Sequence, residues 1–256
     1  MTIVINGTNT PTAGGAGYGD GTNLAFTAAG TAGQVLTSAG TSAPIWSAPT
    51  SAGSLLRSTT FISSGTWTKG AGTNVIKIYG VGGGGGGGGA SASTFAAAGG
   101  GAGGFSSKTM STTGISTIAL VIGAGGTGGN GGNGSAGGFT TAGPNPYYIV
   151  ALAGSGGDGA TYTPNGGAPG SASTGDLNII GGAGHSGLGI STANSFSGNG
   201  GASFFGGGGT GNSTWGSGQP GNAYGSGGGG GRGTTVDGAA NGGAGKAGII
   251  IVEEYA

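Results

Sequence analysis

The chain has 256 residues, 75 of them glycine and 8 proline, with 6 basic and 6 acidic side chains that cancel to a formal net charge of zero. Glycine gives up more backbone freedom on folding than any other residue and buries no side chain; the composition therefore predicts a thin core, and a charged fraction of 5% excludes electrostatic capture of nucleic acid. With no cysteine, disulfides and thiolate metal sites are excluded as well, which leaves oligomerisation as the staple for a poor core.

Residues 1–54 form a first block. Thr2, Ile3, Val4 and Ile5 read as a short strand ended by the turn pair Asn6-Gly7. No basic region or signal-length apolar stretch accompanies them, so the chain is expected to be made in the cytosol. Asp20-Gly21 is a second turn and 23–27 a second strand, followed by 33–40 and 43–47. Val35, Leu36, Ile45 and Trp46 are too few to close a core in one chain, but suffice if three copies meet on an axis. A Ser/Ala/Pro-rich joint at 47–54 leads to the second block, 55–256.

In that block the β-branched and aromatic stretches 59–68, 74–81, 104–111 and 115–122 predict strands, with weaker ones at 147–152 and 177–180 and a closing strand at 248–254. Short strands between turn signals predict a small β-sandwich, and no stretch has a helical period. The fold class expected is all-β. No segment is long enough to span a membrane.

Between the strands lie the glycine clusters, the densest being the eight consecutive glycines 82–89. Collagen needs glycine at every third position and much proline, and a flexible linker would not be interrupted by strands. Residues 124–138 read in threes: apart from Ser135, every non-glycine residue (Ala124, Thr127, Asn130, Asn133, Ala136) falls in one register. Polyproline-II geometry has three residues per turn and no internal hydrogen bonds, so one register is one edge and the other two edges are bare backbone that neighbours must satisfy. Gly181, Gly184 and Gly187 keep the same period, as do Gly242, Gly245 and Gly248. The prediction is a bundle of polyglycine-II helices elaborating the sandwich, with 82–89 extending about 25 Å as its first member. The alternative is a set of flexible glycine loops on a β-sandwich.

Two sets of motifs carry a resemblance. Thr2-Ile3-Val4-Ile5-Asn6-Gly7-Thr8, Tyr18-Gly19-Asp20-Gly21-Thr22, Gly33-Gln34-Val35-Leu36-Thr37-Ser38 and Ala43-Pro44-Ile45-Trp46-Ser47 resemble repeats of bacteriophage tail-fibre proteins. Ser64-Gly65-Thr66-Trp67-Thr68-Lys69, the strand before the glycine run and the Gly245-Lys246-Ala247-Gly248 approach to the last strand resemble the glycine-rich domain at the tips of many phage and prophage tail fibres. A related theme, stacked left-handed glycine-rich helices, is known from the adhesins capping the long tail fibres of T-even-like phages, whose opening this chain does not share. The resemblance implies a β-rich, homotrimeric fibre or attachment segment at 1–54, joined to other virion tail proteins, and a receptor-binding tip at 55–256. It also implies a place in the virion, on the tail fibre.

The segments joining the glycine clusters, 144–148, 158–165, 185–205 and 213–224, carry Tyr147, Tyr148, Tyr162, His185, Phe196, Trp215 and Tyr224. Amphipathic aromatics among Ser, Asn and Gly are the composition of adaptable binding loops. These seven are the candidate contacts to a bacterial surface glycan or an outer-membrane protein, or else they fill the joints of the bundle. Phe204 and Phe205, against 206–209, read as caps. The competing reading is a purely structural fibre or collar component without receptor contact; a third, an ice-binding bundle, wants a flat repeating Thr or Ala face, which only 124–136 approaches.

Enzymatic readings lack material. Matches to G-x-G-x-x-G are inevitable in such a sequence, and Ala240 and Ala247 break a phosphate loop around 242–246. His185 is the only histidine, so a triad or metal cluster has almost no material and His185 reads as a polar loop residue; a calcium site at the Asp/Asn loops has no motif to support it. Adjacent Glu253 and Glu254 point to opposite faces of a strand. Asp158 and Asp176 are the one pair that could act on a glycan if the fold joined them. The Asp-Gly pairs at 158 and 237 read as turns, and the scattered Lys69, Lys77, Lys108, Arg232 and Lys246 as solvated positions or makers of single hydrogen bonds. No enzyme activity, cofactor or metal is expected.

Overall fold

The structure, a computed structural model, describes residues 12–49, 53–91, 96–144, 148–191, 194–234 and 237–256. The strand expected at 2–5 lies outside the described residues. The chain divides into two compact units, 1–52 and 53–256.

The first unit holds two antiparallel hairpins. β1 (Gly17–Gly19) pairs with β2 (Leu24–Phe26), and β3 (Val35–Ala39) with β4 (Ser42–Ser47). Asp20 closes the first turn by accepting the N–H groups of Thr22 and Asn23 at 2.8 and 2.6 Å, and these bonds hold its carboxyl below the ordinary range. Trp46 ties the hairpins together. Its indole N–H donates to Thr27 Oγ1 and the Ala28 carbonyl at 3.0 and 2.9 Å, over a Gly30 that has no room for a methyl group. Val35, Leu36 and Ile45 stay exposed.

The second unit is built on two five-stranded antiparallel sheets. Its strands are β5 (Leu55–Phe61), β6 (Gly65–Thr68), β7 (Val75–Val81), β8 (Phe105–Ser111), β9 (Thr117–Val121), β10 (Thr140–Ala142), β11 (Ile149–Ala151), β12 (Ala172–Ser173), β13 (Leu177–Ile179), β14 (Leu188–Gly189), β15 (Ser195–Phe196) and β16 (Ile249–Tyr255). One sheet runs β13-β8-β7-β16-β5 and the other β12-β11-β10-β9-β6, while β14 and β15 make a separate two-stranded ribbon. The described residues contain no helix, and the sheets do not close into a barrel.

Alternation builds the core. Along β7, Ile76 and Ile78 are buried while Val75, Lys77 and Tyr79 are half-exposed. Ile76, Ile78, Ile250 and Val252 of the first sheet meet Trp67, Ile118, Leu120, Ala142 and Ile149 of the second in one cluster. Gly80 sits on the same face because Ile149 fills the space of its missing side chain. The stretch 59–68, read as one strand, is two: it bends at Ser63 and Ser64 so that β5 and β6 enter different sheets. Ile62, at the bend, is exposed.

A buried carboxylate crosses from one sheet to the other. Glu254 of β16 is 2% exposed and accepts five hydrogen bonds. Arg57 of β5 gives two (Nε 2.8 Å, Nη2 3.1 Å); Trp67 of β6, the Gly70 N–H and Thr73 Oγ1 give the others at 3.2, 3.1 and 2.6 Å. Neighbouring Glu253 points the other way and accepts the hydroxyls of Tyr79 and Tyr255 at 2.9 and 2.7 Å.

Glycine-rich segments leave the ends of the strands and return to them, with neither helix nor strand character. Segment 82–89 follows β7 and 97–104 leads into β8; 123–130 follows β9 and 132–138 leads to β10; 152–158 follows β11 and 165–171 leads to β12. After β13 come 181–187 and 197–202, then 207–211, 217–221 and 225–231, and 240–248 returns to β16.

Candidate functional site: the far end of the glycine segments

The hydrogen bonds of these segments follow a period of three. The N–H groups of Gly82, Gly85 and Gly88 donate to Gly104, Gly101 and Ala98; those of Gly83, Gly86 and Gly89 to Gly138, Ser135 and Gly132; those of Gly84, Gly87 and Ala90 to Lys246, Gly243 and Ala240, all at 2.7–3.0 Å. The carbonyls of the run accept from three further segments. Gly154, Gly157 and Ala160 donate to Gly83, Gly86 and Gly89; Gly126 and Gly129 to Gly84 and Gly87; Gly228 and Gly231 to Gly85 and Gly88. The run is therefore surrounded by six segments, three accepting and three donating. Segment 97–104 is enclosed in the same way, by 225–231, 152–158, 182–185, 82–88, 167–170 and 198–201.

This arrangement accounts for the composition. A Cβ placed on any residue of 82–89 would lie against a backbone carbonyl, closer than real Cβ atoms approach. Outer segments keep one free register: in 123–130, Gly123, Gly126 and Gly129 are buried and Ala124, Thr127 and Asn130 exposed. The expected continuous edge at 124–138 is corrected here. Gly131, with φ of 67°, turns the chain, and 132–138 runs back antiparallel, with Ser135 and Gly138 donating to Thr127 and Ala124. Ser135, the residue out of register, accepts the Thr127 N–H on its hydroxyl at 2.7 Å and so clamps the two segments.

One end of every segment meets the sheets; the other ends form a second surface. There the turns join through isolated bridges, Ala90 with Ala240, Ala96 with Thr161 and with Arg232, Gly216 with Arg232, and Thr234 with Gly238. The β14–β15 ribbon belongs to this end, since Gly187 and Gly189 donate to Pro164 and Tyr162. Arg232, expected either to be solvated or to make a single hydrogen bond, is 5% exposed and makes more than one. It is drawn inward because its Nε donates to Ser195 Oγ of β15 at 2.8 Å and its Nη1 to the Ser213 carbonyl, which holds the ribbon and the 212–216 turn on either side of it. Nothing in the sequence but a lone arginine ending a glycine run marked it out.

Of the candidate contact residues, Tyr162, Phe196 and Trp215 lie on elements of this far end and are 68, 56 and 50% exposed. Tyr162 and Trp215 arrive on two turns and Phe196 on β15. Leu188, paired with Phe196 across the ribbon, and Ile190 are exposed beside them, and composition alone did not single out either. His185 is exposed on the glycine segment 181–187, two residues before its last, with its backbone bonded to Gly99 and Asn199. Tyr148 and Tyr224 are not brought there. Tyr148 packs against the main core, filling the space beside Gly143, and Tyr224 packs with Val81, Phe105 and Ile249 at the sheet end. Tyr147 lies outside the described residues. Phe204 stacks on Phe105 at a centroid distance of 3.9 Å with Phe205 edge-on to it, so this pair covers the sheet end.

Asp158 holds Asn165 by its N–H and Nδ2 at 3.1 and 3.2 Å, while Asp176 accepts the Thr109 N–H at 2.8 Å beside Lys108. The two aspartates thus serve separate local networks. Among the described residues no three His, Asp or Glu side chains gather as a metal requires, and no helix is long and apolar enough to cross a membrane.

Compared with known protein families, residues 58–255 match the glycine-rich domain. The chain belongs to the glycine-rich domain family. The match begins within β5 and ends within β16, so this glycine-rich domain comprises both sheets and all the segments between them. No curated protein matches the chain.

Proposed function

We propose that the protein is the adhesin at the tip of a phage tail fibre, binding a bacterial surface receptor through the far end of its glycine-rich domain. The observation that carries the reading is that Tyr162, Phe196 and Trp215 are all exposed on elements tied to one another at this end: the 158–165 turn bonds to the β14–β15 ribbon, and Arg232 links that ribbon to the 212–216 turn. Aromatics are expensive to expose and are enriched where proteins bind. On this reading the glycine segments are polyglycine-II helices, and their period-three bonding to six neighbours supports it. They make a stiff pedestal on which short loops of mixed composition stand. Exposed Val35, Leu36 and Ile45 support a role for the first unit as a homotrimeric attachment segment. The receptor is a surface glycan or the outer loops of an outer-membrane protein.

Two measurements test this. The purified protein should bind cells of a susceptible strain and block infection, and replacing Tyr162, Phe196 and Trp215 by alanine should reduce binding at least tenfold with the unfolding midpoint unchanged, as for anchor residues worth about 1–2 kcal/mol or more each. Full binding by the triple variant removes these residues from the site; no binding by the native protein favours a structural fibre component. For the pedestal, amide exchange in 124–129 should follow the period of three. Gly126 and Gly129, bonded to 82–89, should exchange slowly and Gly125 and Gly128 fast. Uniformly rapid exchange over 123–138 would return the segments to flexible loops.

A further inference from the structure

Five Asn-Gly pairs lie among the described residues: Asn130-Gly131, Asn133-Gly134, Asn165-Gly166, Asn199-Gly200 and Asn241-Gly242. The pair has an intrinsic chemistry. The glycine backbone nitrogen attacks the side-chain carbonyl carbon of asparagine and a new C–N bond closes a five-membered succinimide. The carboxamide C–N bond breaks, and ammonia leaves with the proton given up by the backbone N–H. Water then adds to either ring carbonyl, opening the ring to aspartate or isoaspartate. No oxidant or reductant is needed. The reaction does need a backbone N–H that is not tied up as a donor, and a side chain free to swing over it.

The packing of the glycine segments denies those conditions to most of the pairs. The Gly134 N–H is bonded to Gly157 at 2.9 Å, and Asn133 Oδ1 accepts the Gly159 N–H at 2.7 Å. The Gly200 N–H is bonded to Gly209 at 2.8 Å, and Asn199 Oδ1 accepts the Gly211 N–H at 2.8 Å. The Gly242 N–H is bonded to Gly129 at 2.9 Å. Asn165 is held by its side chain and its backbone to Asp158 Oδ2, at 3.2 and 3.1 Å, and that carboxylate also opposes loss of a proton nearby. Each pair is guarded by one backbone bond, one side-chain bond or both.

Asn130 alone among them has neither guard. Its side chain is exposed and makes no hydrogen bond among the described residues, and the Gly131 N–H makes none either. Gly131 has a φ of 67°, and a Cβ at Gly132 would meet nothing within 4 Å, so the turn has room for the ring to form. We propose that Asn130 is a self-modification site, converting through a succinimide to aspartate and isoaspartate while the protein stays folded and the other four pairs persist. Conversion places a new negative charge on a molecule of zero formal net charge, at the same end of the segments as Tyr162 and Trp215. The isoaspartate form also adds a methylene to the backbone of the turn that reverses 123–130 into 132–138.

The test incubates the full-length protein at mildly alkaline pH, native and in denaturant, and reads aspartate and isoaspartate at each pair by peptide mass spectrometry over time. In the native protein Asn130 should convert at least about tenfold faster than any of the other four, because those react only after local opening. In denaturant the five rates should converge. An acidic species carrying the conversion at residue 130 should also accumulate on ion exchange, and Asn130→Gln should remove it, with conversion at Asn6-Gly7 scored separately by its own peptide. Equal rates at Asn130 and the guarded pairs in the folded protein would overturn the proposal. So would an inert Asn130, rate differences among the five that survive in denaturant, or an acidic species in Asn130→Gln whose conversion maps to one of the other four pairs.

Discussion

Replacing Gly86 by alanine is expected to destabilise the domain by about 3 kcal/mol or more, enough to consume much of the ordinary stability of a domain. The added methyl would sit on the Thr127 carbonyl and against the Gly128 nitrogen. Neither is the end of a side chain that could rotate away. Relief requires moving a whole segment, and Gly86 is bonded on both sides, donating to Ser135 and accepting from Gly157, each at 2.9 Å. Pushing 123–130 outward also strains the bonds from Gly126 and Gly129 to the run, each worth about 0.5–1.5 kcal/mol net. The control is Gly207→Ala: that glycine has open space around its missing Cβ and no positive φ, so the change should be neutral or slightly stabilising through the unfolded state. Guanidinium midpoints decide the matter. Equal midpoints for Gly86→Ala and the native protein would mean that the segments are not packed as described.

The same geometry explains which parts of the fold could be read from the sequence. An enclosed segment has no register free for a side chain, so 82–89 is pure glycine and 97–104 carries nothing larger than a methyl group. An outer segment has one register free, so 123–130 reads Gly-x-Gly with a non-glycine residue at every third position. The difference between unbroken glycine and a period of three was thus visible in the chain, and so were the long strands, because Ile76, Ile78, Ile250 and Val252 alternate with half-exposed neighbours. What was not visible is where a glycine segment reverses. A turn at Gly131 uses the same residue types as the straight run on either side of it, and nothing in Asn130-Gly131 sets it apart from Asn133-Gly134, which stays in line. The bend at Ser63 and Ser64 was hidden similarly, within a stretch of uniformly high β-propensity.

The candidate site was legible residue by residue but not as a surface. Tyr162, Phe196, Trp215, Tyr148 and Tyr224 have the same composition around them, yet Tyr148 packs on the main core and Tyr224 at the sheet end, while the other three lie at the far end. That sorting depends on counting reversals along the chain, which requires knowing every turn. Arg232 was missed for a related reason: its partners, Ser195 and the Ser213 carbonyl, come from turns remote in sequence.

Acid should unlock the two sheets from each other at Glu254. Burial alone would raise the pKa of this carboxyl, but the hydrogen bonds from Arg57, Thr73, Gly70 and Trp67 outweigh it and bring the value down from 4.5 to about 2. The folded state therefore holds this group ionised at acidities where the unfolded chain has already taken up a proton. Its contribution is complete above about pH 4.5 and disappears as pH falls towards 2; a shift of this size corresponds to about 3 kcal/mol. The loss would be felt across the sandwich, since the carboxylate joins edge strand β5 to β16 and also reaches β6, the edge strand of the opposite sheet. Denaturant midpoints of the native protein should accordingly fall between pH 4.5 and pH 2. Glu254→Gln should be weaker at neutral pH, because its neutral amide brings an N–H₂ donor where the Arg57 guanidinium needs an acceptor. It should also lose most of the pH slope in that window. Parallel pH profiles for the two proteins would show that the acid sensitivity lies elsewhere. Nor can the exposed carboxylates of Asp20 and Asp176 stand in for it, because each lies at the solvent surface, where pairing is worth little.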